Sequence, residues 1–371
     1  MDSARFLFLL KRMDWWLMLA ALCLATVGIL FIYSAGFRGD GLPVPSYYQK
    51  QMVWCCLGLA TVFFLVCVDY KKWMNMSLFI YAVGLAMLIL VLFVGTSAHG
   101  SSRWLNLAGI RVQPSEFAKI ATLIMLARYL GQPGLNLRQY RVVLTTGLLA
   151  GVPFLLIFLE PDLGTAAVLL PMAFALMYVA GVPKRTLALI VGLGVLCLFP
   201  LWEFALGEYQ QERILTFFDP GRDPRGAGWN KFQSEIAVGS GGLTGKGYLE
   251  GTQNVLGFLP RTVAPTDFIY SVIAEEMGFI GSALVLSLYA AVLIGVVRAA
   301  LFSRDKPGRL LAVGVATMLF FHVTVNIAMT IGLMPITGLP LPLISYGGSF
   351  MISTMCALGL VESVYVRRYR R

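Results

Sequence analysis

Asp267 stands where a polar stretch of about sixty residues, Gly207 to Thr266, meets the apolar run that follows it. A carboxylate at a membrane edge, beside a large loop, is placed to act on a lipid-borne substrate. The same residue could serve only as an N-cap for the next helix. Glu275 and Glu276 follow on that helix. At 100° per residue, Glu275 lies about 80° round from Asp267 and Glu276 about 180° round, so at most one of them shares its face. That one is expected roughly 12 Å deeper in the membrane, with both glutamates turned toward neighbouring spans. Asp267 is then the outer, water-accessible acid.

Three further polar groups sit where lipid should not tolerate them, which makes them functional candidates by default. Arg103-Trp104 reads either as an interfacial anchor with a snorkelling arginine or as a lipid headgroup site, with arginine for phosphate and tryptophan for a sugar or isoprenoid face. In Gln113-Pro-Ser-Glu-Phe-Ala-Lys119, Pro114 and Glu116 suit a helix start. Glu116 and Lys119, three residues apart, share a face. They form either a structural ion pair or a pyrophosphate contact by Lys119 at a positive helix end. Glu160-Pro-Asp-Leu-Gly-Thr165 is a tight turn between two spans, in which Asp162 either caps the next helix or contacts substrate.

The polar stretch also carries Gly239-Ser-Gly-Gly-Leu-Thr-Gly-Lys-Gly247. It is not a P-loop: Ser240 stands where that spacing needs glycine, and Lys246 is followed by glycine rather than serine or threonine. A flexible loop whose amides and Lys246 approach a phosphate or sugar remains open. Ser303 and Lys306 match S-x-x-K, but no S-D-N or K-T-G follows, so they are rejected as an acylation site. The two histidines, His99 and His322, stand apart and give no zinc motif. The six cysteines all lie in apolar runs and read as small buried side chains.

The elements that position these groups are membrane spans. The chain has 371 residues, 58% of them hydrophobic and 13% charged, against about 25% charged in a soluble domain. Ten apolar segments are expected near 14–36, 50–68, 74–95, 115–131, 142–159, 163–182, 186–206, 267–298, 309–332 and 343–365. Together they make an all-α polytopic membrane protein, one domain over 1–371, with its large loop at 207–266 between helices 7 and 8. The first run follows Arg5, Lys11 and Arg12 and reads as an uncleaved span, too long for a signal peptide. Within the loop, Gln233 to Val238 is expected as a short amphipathic helix at the membrane surface.

The net charge of +10 is a topology signal rather than a nucleic-acid footprint. Lysine and arginine gather at alternate ends of the spans, from Lys71-Lys72 and Lys184-Arg185 to Arg367, Arg368, Arg370 and Arg371. The positive-inside rule then puts both termini in the cytoplasm and the long loop outside. The excess charge also suits anionic lipid.

Five blocks in order carry a resemblance over most of the chain. They are RWLNLAGIRVQPSEFAK (103–119), EPDLGTA (160–166), GAGWNKFQSEIAVGSGGLTGKGYLEGTQ (226–253) and TDFIYSVIAEEMG (266–278), then a closing signature of Asn326, Gly332-Leu-Met-Pro335, Gly338-Leu339 and Leu343-Ile-Ser-Tyr-Gly-Gly-Ser349. The chain resembles the SEDS family, and its rod-shape branch more than its division branch. Two departures stand out. The connection Pro260 to Asp267 is two residues longer than the family's Pro-Glu-x-x-Thr-Asp and lacks its glutamate. Phe350 replaces the usual small residue after Ser349.

The resemblance implies a bacterial cytoplasmic-membrane peptidoglycan glycosyltransferase. Such an enzyme polymerises lipid II into β-1,4 glycan at the outer face, for cell elongation and rod shape. It implies a class B penicillin-binding protein as partner, its single membrane helix against the ninth-span region, within the elongation machinery. Asp267 becomes the catalytic carboxylate. A sugar 4-hydroxyl must lose its proton as it attacks an anomeric carbon, and one carboxylate can act as general base or hold Mg²⁺ or Mn²⁺ for the leaving pyrophosphate. Arg103, Trp104, Glu116, Lys119, Asp162 and Lys246 are the expected substrate-binding set. Two other readings stand beside it. A lipid II flippase would need essential acids near the midplane and two access states, and a non-catalytic scaffold for a transpeptidase would dispense with Asp267.

Overall fold

The computed structural model describes residues 8–37, 46–98, 101–107, 110–224, 226–260 and 262–368; Arg5, His99, Arg370 and Arg371 lie outside them. In chain order the helices are α1 (Trp15–Gly36), α2 (Tyr47–Cys67), α3 (Ser77–Val94), α4 (Pro114–Leu130), α5 (Tyr140–Leu159), α6 (Leu163–Ala180) and α7 (Lys184–Phe204), then α8 (Glu208–Phe218) and α9 (Ala227–Ser240), and finally α10 (Ile269–Phe302), α11 (Lys306–Thr330) and α12 (Gly348–Val366). Nine of these, among the described residues, are long and apolar enough to cross a membrane. The remaining expected span, α4, has 17 residues, a rise of about 26 Å. It packs against α3, α5, α6 and α11 and buries Glu116 and Lys119 as well as its apolar residues.

The bundle closes in two ways. α12 lies along α2 and is the most enclosed of the nine spans. α10 packs between α1 and α11. α7 touches little but α6 and presents leucine, valine and phenylalanine outward, as a lipid-facing helix does. Both ends of the described chain meet at one end of the bundle. There Asp14 N–H donates to Glu362 (3.1 Å), Arg298 reaches Asp14 (3.4 Å) and Arg368 donates to the Arg12 carbonyl (2.9 Å). The long polar segment covers the opposite end.

Three elements depart from the expected spans. A small antiparallel sheet, β1 (Thr96–Ala98), β2 (Ser101–Leu107) and β3 (Ile110–Val112), fills the connection between α3 and α4. It puts Arg103 and Trp104 on a strand rather than at a helix end. The final span begins at Gly348 rather than near 343, because 331–347 runs as extended chain and turns across the loop end of the bundle. Within α10, Gly278 (φ +62°, ψ −157°) interrupts the helix, so Ile269–Met277 is an arm distinct from the spanning part. The long segment is ordered into α8 and α9. The helix expected at 233–238 is there and is longer, Ala227–Ser240.

Candidate active site

The site is built where four segments converge at the loop end. Asp267 lies just ahead of α10, half-buried. Its two-residue-longer approach is coiled into a turn, in which the Asp267 and Phe268 N–H groups both return to the Val263 carbonyl (3.0 and 3.2 Å). Pro265 and Thr266 dock their carbonyls onto the extended segment, accepting from Tyr346 N–H and the Ser345 hydroxyl. Asn326 of α11 holds the Asp267 carbonyl (3.0 Å). The turn is thus fixed by main-chain bonds, and the Asp267 carboxylate pairs with the Thr266 side chain.

Against it stands the turn Glu160–Asp162. Asp162 caps α6 through Thr165 N–H (3.2 Å), accepts from the Gln113 amide (3.2 Å) and lies 3.8 Å from Arg103. The cap reading of Asp162 holds, and the same carboxylate faces Arg103 and Gln113. Arg103 also donates to the Glu160 carbonyl (3.0 Å) and to the Pro161 carbonyl, so strand β2 braces this turn. Gly164 packs against Thr337 so closely that a Cβ would come within 2.8 Å of its carbonyl, and this seats α6 on the extended segment. Gln113 N–H meets Ser349 (3.1 Å). Trp104 follows Arg103 on the strand, half-buried.

One charged residue at the site was missed by sequence reasoning. Arg213, from loop helix α8, donates to the Ile336 carbonyl (3.2 Å). At Gly338 (φ +74°) a Cβ would lie 3.6 Å from Asp267 Oδ2 and 3.9 Å from Arg213 Nη1, so the two charges face each other across that glycine. The local signal was slight, an arginine between Gln210-Gln-Glu212 and the apolar Ile214-Leu215.

Burial pushes the Asp267 carboxyl up to about 6, with the Arg213 guanidinium opposing and the Asp162 charge adding to the rise. Such a group is ionised at neutral pH yet basic enough to take a proton. Glu160 is more strongly affected. It is 1% exposed, both its carboxyl oxygens lack a hydrogen-bond partner among the described residues, and burial with the nearby Asp162 raises it to about 8. Burial thus favours the neutral acid at Glu160, with the Arg103 guanidinium opposing.

Glu116 and Lys119 form a second cluster one turn further into the bundle. Lys119 Nζ lies 3.0 Å from Glu116 and 3.0 Å from His322 Nε2, and Ser353 donates to Glu116 (3.3 Å). Lys119 is 1% exposed. Phe350 closes over this cluster, its ring 5.1 Å from His322 and 5.8 Å from the ammonium; the larger residue at that position is accommodated as a lid on buried charge.

Lys246 is at a third place, the far end of the arm, 2.6 Å from Glu275. The glutamates are not where a continuous helix would put them. Glu276 accepts from Ser34, two residues before the end of α1, so it lies at the loop end of the bundle rather than deep within it. The break at Gly278 is the reason.

The FtsW/RodA/SpoVE family, described as cell cycle proteins, matches residues 14–370. The chain is 33% identical to "Peptidoglycan glycosyltransferase RodA" of Treponema pallidum, over 96% of this chain and 98% of that protein. It is 34% identical to "Peptidoglycan glycosyltransferase MrdB" of Escherichia coli K12, over 96% and 94%. Among solved structures it is similar to a chain described under "Structural coordination of polymerization and crosslinking by a peptidoglycan synthase complex" (TM-score 0.80, 33% identity, 97% and 99% covered). It is also similar to the Thermus thermophilus rod shape determining protein RodA (TM-score 0.72, 32% identity, 97% and 98% covered).

Proposed function

The chain belongs to the FtsW/RodA/SpoVE family of cell cycle proteins, and we propose that it works as a peptidoglycan glycosyltransferase through Asp267. The activity follows from the relatives it matches almost end to end. The substrate is lipid II, and the product is a β-1,4 glycan strand. The observation that carries the residue assignment is the geometry around Asp267. One carboxylate, half-buried and raised to about 6, has Arg213, Asp162 and Arg103 around it.

Asp267 accepts the proton of the attacking sugar 4-hydroxyl as the bond to the anomeric carbon forms and the bond to the diphosphate breaks. The diphosphate leaves as an anion and needs no protonation, so a second acid of the hydrolase kind is not required. Arg213 keeps Asp267 ionised and presents positive charge beside it. Arg103 and Asp162 stand opposite, Trp104 is the candidate for a sugar or isoprenoid contact, and Glu116 with Lys119 lies buried one turn below, beneath Phe350.

A divalent cation fits this donor set in one way. Asp267 offers a single carboxylate, and Asp162 is already engaged by Arg103, Gln113 and Thr165. Mg²⁺ is commonly held by one or two carboxylates and substrate phosphates, so Asp267 would hold Mg²⁺ or Mn²⁺ jointly with the diphosphate. Bound there, the ion would offset charge on the leaving group.

Charge asymmetry supports cytoplasmic termini and an outward-facing loop end, which puts Asp267 at the outer face of the bacterial cytoplasmic membrane. The partner is a class B penicillin-binding protein, in line with the synthase complex containing the similar chain.

The test is polymerisation of purified lipid II with Mg²⁺ or Mn²⁺, with the partner co-purified. Wild type is compared with Asp267→Ala at equal folded yield. Polymer from the wild type alone establishes the assignment; equal polymer from both removes Asp267 from the chemistry.

A further inference from the structure

We propose that Lys246, Glu275 and Glu276 are positioning residues. They clamp the loop 241–254 onto the arm Ile269–Met277 and thereby set where Asp267 stands; this rests on the reading of Asp267 as the catalytic carboxylate.

The clamp begins with the break in α10. At Gly278 the helix loses its regular ladder, which leaves carbonyls on one side and N–H groups on the other without partners. The glycine-rich loop supplies them. Phe279 and Ile280 donate to the carbonyls of Gly242 (2.9 Å) and Leu243 (3.1 Å), while Lys246 and Gly247 N–H groups donate to the carbonyls of Glu275 and Glu276 (3.1 Å each). The approach is too close for side chains. A Cβ at Gly241 would come within 2.0 Å of the Ala274 carbonyl, and one at Gly278 within 2.4 Å of Gly245 N.

Side chains then lock the seam. Glu275 Oε1 receives Lys246 Nζ (2.6 Å), the Thr252 hydroxyl (3.1 Å) and Gln253 N–H (2.9 Å). Glu276 receives the Ser34 hydroxyl and Leu249 N–H (3.2 Å), the latter aimed by a left-handed backbone (φ +68°) at Leu249. Asn254 and Tyr248 carry the same loop onto α1, donating to the carbonyls of Ser34 (2.7 Å) and Leu30 (2.9 Å).

The arm links this seam to the site. Its site end is fixed by Asn326 on the Asp267 carbonyl and by Ser271 against Ser234 of α9 (2.6 Å). From Asp267 to Glu275 is eight residues, about 12 Å of helix. Both glutamates are buried, and the Lys246 ammonium pairs with Glu275. Removing Lys246 leaves buried carboxylate without a counter-charge, which the arm relieves only by moving or admitting water. A displacement of about 1 Å at a reacting group costs on the order of a hundredfold in rate.

The experiment uses the full chain with its partner and lipid II, and reads kcat, KM and amide hydrogen exchange. Lys246→Met is expected to lower kcat about tenfold to a hundredfold with KM nearly unchanged. Exchange over 263–272 should rise while α11 and α12 stay protected. Lys246→Arg should restore most of the rate. Glu276→Gln, which keeps shape and removes charge, should move kcat and exchange the same way by less, and it serves if Lys246→Met folds poorly. A raised KM with unchanged exchange would make Lys246 a substrate contact and overturn the proposal, as would wild-type kcat and exchange in both variants. Polymerisation by Asp267→Ala would instead sink the reading of Asp267, since exchange over the arm is measured without activity.

Discussion

Asn326 donates its amide to two main-chain oxygens at once, Asp267 at 3.0 Å and Leu339 at 2.7 Å, and so pins the turn before α10 to the extended segment before α12. Asn326 is fully buried. Asn326→Ala leaves both carbonyls unsatisfied, at about 1–3 kcal/mol each. The expected outcome is a loss of roughly 2–6 kcal/mol of stability and a fall in kcat at permissive temperature. Asn326→Asp should fare worse, because an ionised carboxylate cannot donate. Thermal unfolding and turnover of the two variants check this, and wild-type kcat in both would show that Asp267 needs no such pin.

The rate should track the ionisation of Asp267. A base works deprotonated, so kcat/KM is expected to fall as pH drops through about 6. Arg213 lowers this value, so Arg213→Gln should move the midpoint upward. Stability runs the other way. The folded value is raised above the unfolded one, so ionising Asp267 costs stability as pH rises from about 4 to about 6. Asp267→Asn should therefore be inactive yet more stable near neutrality, by about 1–2 kcal/mol after allowing for its partial exposure. A profile flat across that range, or a midpoint lowered in Arg213→Gln, would remove Asp267 as the titrating base.

Much of this was legible in the sequence, for identifiable physical reasons. Lipid demands long apolar runs, so the spans stand out, and Asp267 is conspicuous at the junction of the longest polar stretch with one of them. What escaped depends on contacts distant in sequence or on backbone angles. Arg213 meets Asp267 only because α8 folds back over the extended segment. Gly278 looks like a tolerated helix glycine, and nothing local announces φ +62°. A straight helix would have buried Glu275 and Glu276 in the span; the break instead lays them under the loop beside Ser34. The sheet that carries Arg103 has strands of only three, seven and three residues, too short for hydrophobic alternation to announce them.

Glu160 gives a prediction opposite in kind to an ion pair. Its folded value near 8 means that the neutral acid is the form the fold accepts. That stability is complete below the unfolded carboxylate range and is lost as pH rises through about 8. Glu160→Gln, which keeps the shape without the charge, should hold its unfolding temperature between about pH 5 and 8, where the wild type declines. Equal declines in both proteins would mean that Glu160 is not the group responsible.

The buried Glu116–Lys119 pair separates structure from substrate contact. Each single change, Glu116→Gln or Lys119→Met, strands a charge in the bundle and is expected to cost about 3–5 kcal/mol. The double change strands none, so the fold should recover most of that loss. Activity then decides the role. If Lys119 only balances Glu116 and steadies His322, the double variant should regain turnover along with stability. If its ammonium contacts the diphosphate, the double variant should fold and still polymerise lipid II at least tenfold more slowly, the cost of about one charge-assisted hydrogen bond. With Phe350 closing the cluster, that contact requires the ring to swing aside. Phe350→Ala should therefore lower KM for lipid II in the wild-type background, and an unchanged KM there would leave the pair as architecture.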